Sequence, residues 1–170
     1  MPLINELIDK LTNSIENVKS GENFKTLILP FMPNDKGISK SKWVFDWIKE
    51  SNQTARKIFK LVTVENPSII HGLISIEDKG DLIYMHLLEN AKFNKGKEKA
   101  YLGVAGNLVA YACKLSFEKG YDGFISFTSK SKLIEHYKKT LGAKIFMGNV
   151  MIIDTSESFR LFKRYFPDEN

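Results

Sequence analysis

A chain of 170 residues that is 43% hydrophobic, with 12 Phe, 6 Tyr and 2 Trp, holds one compact domain with ample core material, which excludes intrinsic disorder and a second full domain. Its 25 Lys plus Arg against 20 Asp plus Glu give a net charge of +5, spread over scattered lysines with Arg only at Arg56, Arg160 and Arg164, which disfavours nucleic acid as a partner relative to small molecules. The single Cys113 excludes an intramolecular disulfide, and His71, His86 and His136 are too isolated for zinc-ligand spacing, so no metal is expected.

In chain order, Leu3, Ile4, Leu7, Ile8, Leu11, Ile15 and Val18 recur at helical spacing and Ser20-Gly21 ends the pattern, which predicts an amphipathic helix within residues 1–20. The segment is studded with acids and has neither a signal-peptide hydrophobic region nor a membrane-spanning run, so a cytoplasmic location without a membrane partner is expected. Residues 24–31 (FKTLILPF) predict a strand closed by Pro30 and Pro33, and residues 41–51 a helix with Trp43 and Trp47 on one face. Three β-branched and aromatic runs, 57–64, 69–76 and 82–88, are separated by short turns and predict an antiparallel meander.

After a lysine-rich loop, Val104, Leu108, Tyr111, Ala112 and Leu115 mark one face of a central helix over 104–119, stopped by Gly120. Residues 124–127 predict a short buried strand, 132–140 a helix, 143–146 and 150–154 a strand pair turned at Met147-Gly148-Asn149, and 156–166 a closing helix. This order makes a mixed α/β (α+β) layout within a single domain, 1–170, with one crossover through the central helix.

The informative motif is YLGVAGNL, residues 101–108, which opens the central helix. The first N–H groups of a helix lack partners within it and carry partial positive charge, and glycines there let a phosphate approach. The glycine pair fits either that cradle or plain helix–sheet packing. It is not a P-loop, which needs Gly-Lys followed by Ser or Thr. Nor is it the dinucleotide fingerprint, because Gly106 is followed by Asn107-Leu108-Val109.

Here the sequence resembles the GNAT acetyltransferase superfamily, whose coenzyme A loop reads Gln/Arg-x-x-Gly-x-Gly/Ala before its main helix: Gly103-Val104-Ala105 matches the last three positions, and Ala100 stands where the family has Gln or Arg. The stretch LIEHYKKTLGA, residues 133–143, is similar to the family's later helix, so the resemblance spans about residues 82–154. It implies a GNAT-like fold, a mixed and mostly antiparallel central sheet flanked by helices, and transfer of an acetyl group from acetyl-coenzyme A, as cosubstrate, to an unidentified amine.

The resemblance further implies that the fourth and fifth family strands, here 82–88 and 124–127, splay to receive the pantetheine arm against backbone at Leu87, Leu88 and Glu89. Gly103, Val104, Ala105, Gly106 and Asn107 would hold the pyrophosphate, with Tyr137 beside the sulfur as general acid. Lys95, Lys97 and Lys99 either add charge there or form a solvated loop. Glu89 is the candidate for deprotonating the amine and His86 a second choice. Strand alternation puts Tyr84, His86 and Leu88 on one face and Met85, Leu87 and Glu89 on the other unless a bulge intervenes. Cys113 is expected as a core residue, and Trp43 and Trp47 either pack on the sheet or line the acceptor cleft. The alternative to an enzyme is an acyltransferase-like module that binds coenzyme A or a protein partner without turnover. The terminal segments either cover the domain or meet a second copy in a homodimer.

Overall fold

The computed structural model describes residues 2–10 and 12–169. Nine strands form one sheet among the described residues: β1 (Ser14–Asn17), β2 (Asn23–Pro30), β3 (Arg56–Thr63), β4 (Gly72–Asp78), β5 (Ile83–Asn90), β6 (Tyr101–Leu102), β7 (Ile125–Thr128), β8 (Lys144–Met147) and β9 (Val150–Ile153). Their order is β6-β1-β2-β3-β4-β5-β7-β9-β8. Every pairing is antiparallel except β5 with β7. The helices are α1 (Trp47–Ser51), α2 (Val104–Glu118), α3 (Ile134–Leu141) and α4 (Thr155–Tyr165).

The expected mixed, mostly antiparallel sheet flanked by helices is therefore present. α2 is the crossover that makes β5 and β7 parallel, as such a connection must. It packs on β4 and β5 and against α4, burying Val104, Leu108, Ala112 and Cys113 in the larger core with Ile74, Met85, Ile125 and Phe127. The opposite face of the sheet carries a smaller core of Phe31, Trp43, Trp47, Ile58, Leu73 and Leu87.

The helix expected in residues 1–20 is absent among the described residues. Residues 5–10 have no regular secondary structure, Ile4 makes a single parallel bridge to Ser129, and β1 occupies Ser14–Asn17; Leu11 lies outside the described residues. A helical face would bury residues 3, 4, 7 and 8 together, whereas Ile4 and Ile8 are buried while Leu3 and Leu7 are 37% and 49% exposed. Spacing by four satisfies both a helix and two steps of an extended chain, and the burial of positions 4 and 8 with position 6 half-buried between them is the extended solution.

The helix expected over 41–51 is also shortened. A 3-10 turn at Lys40–Lys42 precedes α1, whose start is capped by Asp46 accepting from the Lys49 amide at 3.1 Å. Helix continuity through 43–46 is broken because the amides of Val44 and Phe45 donate instead to a carboxylate from β5.

β5 carries a bulge. Leu87 opposes Ser75 while Met85 opposes Ile76, leaving His86 as the extra residue. The simple alternation is thereby overturned: Met85 and Leu88 both enter the core under α2, while Leu87 enters the tryptophan side.

Candidate functional site

β5 and β7 pair only at Ile83 with Ile125, Tyr84 with Ser126 and Met85 with Phe127. β5 runs on to Asn90 whereas β7 stops at Thr128, so past the bulge the two strands part. The gap opens toward the start of α2, and α3 supplies Tyr137 and His136 beside it.

Residues 4–10 bridge this gap as an extended strap. At the β7 side the Ile4 amide donates to the Thr128 carbonyl at 2.7 Å, and the Lys130 amide donates to the Ile4 carbonyl at 3.0 Å. At the β5 side the Glu6 carboxylate accepts from the Asn90 amide at 2.8 Å. The Tyr137 hydroxyl donates to the Glu6 carbonyl at 2.6 Å, and the Ile8 amide donates to His136 Nε2 at 2.9 Å. Ile4 and Ile8 are the strap's apolar anchors, and full burial of such side chains contributes about 1.5–3 kcal/mol each.

The strap ends on α2. Gly103, in the left-handed region at φ 98°, caps the helix, and its amide donates to Asp9 Oδ1 at 2.9 Å. Lys99 holds the other carboxylate oxygen at 2.9 Å. An anion is thus seated where a helix start and a lysine favour one. Beyond it the Tyr165 hydroxyl of α4 donates to the Lys10 carbonyl at 2.8 Å, packed so closely on Gly106 that a Cβ there would overlap it.

The predicted loop residues fall into two groups. Gly103, itself buried, presents its amide to the anion, and Val104, Ala105 and Gly106 are buried beyond it. Asn107 turns inward, its Nδ2 donating to the carbonyls of Gly103 at 2.7 Å and of Thr12 and Ser14 at 3.2 Å, so it ties α2 to the first hairpin. Among the loop lysines, Lys95 lies 3.2 Å from Glu89 and 3.7 Å from Glu6, and Lys97 is exposed.

Tyr137 stands against the strap, 0% exposed, and burial followed by the nearby Glu6 charge pushes its phenol up, so the hydroxyl stays protonated. Glu89 is 1% exposed on the tryptophan side. Its Oε1 accepts from Trp47 Nε1 at 2.9 Å and from the Phe45 amide at 3.1 Å, and Oε2 from the Val44 amide at 2.8 Å and from Lys95. Those donors make the carboxylate an anchor for residues 44–47; accepting an amine proton would require giving one of them up. Tyr137 and Glu89 therefore belong to different faces of β5.

His86 Nε2 pairs with Glu77 at 2.8 Å, away from the strap. His71 is buried between Phe93 and Tyr101, its Nδ1 facing Asn94 Nδ2 at 3.1 Å, and burial draws its pKa down to about 4. Burial pushes the Cys113 thiol up to about 12, as expected of an inert core cysteine. A cavity of about 380 Å³ lies beyond the end of β5, lined by Trp43, Ile70, Ala91 and Phe93 together with Lys36, Lys42 and Lys92. Trp43 thus lines an opening while Trp47 packs beneath it at Glu89.

Sequence reasoning missed Glu6, Asp9 and Tyr165. The burial-compatible spacing of Ile4, Glu6 and Ile8 was available in the sequence, but the contact of Asp9 with Gly103 joins positions far apart in the chain and carries no local signal.

Among the described residues, no helix is long and apolar enough to cross a membrane. No protein-family model matches the sequence, and no curated protein matches it. Solved structures do match its backbone. A mutant AtaT toxin bound to the C-terminus of the antitoxin AtaR and acetyl-CoA aligns at TM-score 0.59 and 12% identity, covering 81% of this chain and 98% of that one. AtaT complexed with acetyl-methionyl-tRNAfMet gives 0.57 and 12%, covering 81% and 99%, and the KacTA–DNA complex 0.56 and 11%, covering 82% and 99%. Likeness at such identities shows a common fold.

Proposed function

We propose that this chain, which has the GNAT fold, is an acetyl-CoA-dependent N-acetyltransferase. The observation that carries the reading is the gap past Met85 and Phe127, which accepts an extended chain in line with an anion at the Gly103 amide. An acyl-coenzyme A offers the same sequence of features: a narrow arm with amide groups, then a diphosphate. The unpaired run of β5 around Leu87, Leu88 and Glu89 would meet the arm, and Gly103 with Lys99 would meet the diphosphate. The similarity to a structure holding acetyl-CoA supports the donor.

The acceptor amine would bond through nitrogen to the acetyl carbonyl carbon as the carbon–sulfur bond breaks. It gives up one proton and the departing sulfur takes one, so the products are an amide and free coenzyme thiol. Tyr137, whose hydroxyl reaches the gap beside β5, is the residue proposed to supply that proton once its hydroxyl leaves the Glu6 carbonyl. The cavity beside Trp43 and Phe93 lies next to the end of β5 and is the proposed entrance for the acceptor.

Titration calorimetry with acetyl-CoA and free-thiol release with an amine panel test this reading, the panel including an aminoacyl-tRNA because AtaT is seen with acetyl-methionyl-tRNAfMet. Gly103→Glu places a like charge at the diphosphate seat and should abolish binding; unchanged affinity would reject the loop assignment. A second reading, a GNAT-fold module without turnover, is favoured by two observations: the strap fills the gap, and Glu89 has no oxygen without donors. Binding without thiol release for any acceptor would select it.

A further inference from the structure

We propose that residues 4–10 are a built-in competitor of the coenzyme: strap and coenzyme exclude each other, and the donor enters only as the strap leaves. This rests on the coenzyme-binding reading above and adds the regulation of that site.

The strap occupies the gap and uses several of the groups that the proposed ligand needs. Its main chain takes the free β7 carbonyl at Thr128 and the Lys130 amide, a form of strand addition in which backbone bonds give affinity and alternate side chains give register. It takes the β5 amide of Asn90 through Glu6 and the Tyr137 hydroxyl through the Glu6 carbonyl. Asp9 takes the Gly103 amide and Lys99. A second extended molecule cannot share the Lys130, Asn90 and Gly103 amides or the Tyr137 hydroxyl, because each has one hydrogen to give.

The strap is also an imperfect occupant, which is what a displaceable one requires. Glu6 is forced into a poorly solvated position whose burial raises its pKa, and Asn90, gripped by Glu6 at its amide, keeps its buried side-chain Oδ1 without a hydrogen-bond partner. Leu3 and Leu7 stay in solvent, so Ile4 and Ile8 are the buried aliphatic side chains of the strap. Binding to a protein whose competent state is a fraction of the population weakens apparent affinity by that fraction.

Hydrogen exchange on the full chain, with and without coenzyme A, gives the first readout. The Ile4 and Ile8 amides should be protected in the free protein and exchange about tenfold faster or more when coenzyme is saturating; coenzyme bound with those amides still protected would overturn the proposal. Calorimetry on Ile4→Asp/Ile8→Asp and on a chain lacking residues 2–10 should show coenzyme A affinity about tenfold higher or more, as the competent fraction approaches one. A synthetic peptide of residues 2–10 should then compete with coenzyme for the shortened chain. Equal affinity in folded full-length and strap-free proteins overturns the competitor while leaving the coenzyme reading intact. No binding to either overturns both. Should the variants fail to fold, the exchange experiment on the unaltered chain decides alone.

Discussion

His71 shows how one side chain links packing to solution behaviour. Its ring packs edge-on against Phe93 and Tyr101, and Nδ1 faces the Asn94 amide nitrogen, a donor that only the neutral imidazole can accept from. Its folded pKa of about 4 lies below the ordinary 6.5, the main cause being burial. Between those values the unfolded chain binds more protons than the native one, so the stabilisation is complete above about 6.5 and is lost as the pH falls toward 4. The urea midpoint should drop between pH 7 and pH 5, and His71→Gln should flatten that drop; an unchanged slope in the variant would place the effect elsewhere. Residue spacing alone set His71 apart from the other two histidines, and the structure buries it between Phe93 and Tyr101. For Glu89 the sequence indicated a carboxylate at a strand end, but not Trp47 and two backbone amides folding over it, since those donors come from a segment more than forty residues earlier.

At the scale of elements, β3, β5, α2, α3 and the β8–β9 pair lie within a few residues of their expected bounds because hydrophobic period and flanking glycines agree there. β1 is short and mostly polar and β6 is only two residues long, and they exist because β1 pairs with both β2 and β6, which local pattern cannot announce. Close contact between elements has a similarly non-local cause. Gly72 opens β4 beneath α2, and a Cβ there would stand 2.6 Å from Val104 Cγ1 and 3.3 Å from the Glu89 carbonyl. Gly72→Ala should therefore cost about 1–3 kcal/mol, the usual range for overpacking, measured as a lower denaturant midpoint with unchanged slope. It should also disturb coenzyme binding, because the helix it would push away is the one that Gly103 caps.

For the whole molecule, the decisive arrangement is that the sheet is nearly two sheets. β6 through β5 make one leaf and β7, β9 and β8 the other, joined by three residue pairs at one end of the gap and by the strap at the other. The three pairs act as a pivot and the strap as a clasp. Releasing the clasp would vacate a groove and leave the leaves held by those three pairs, α2 and the larger core that spans both, so residues 4–10 add to the coupling between the leaves. Scanning calorimetry of a chain lacking residues 2–10 should show the van't Hoff enthalpy falling below the calorimetric one, the mark of blocks melting separately. Saturating coenzyme should bring the two enthalpies back together, because a ligand spanning both leaves would refasten them.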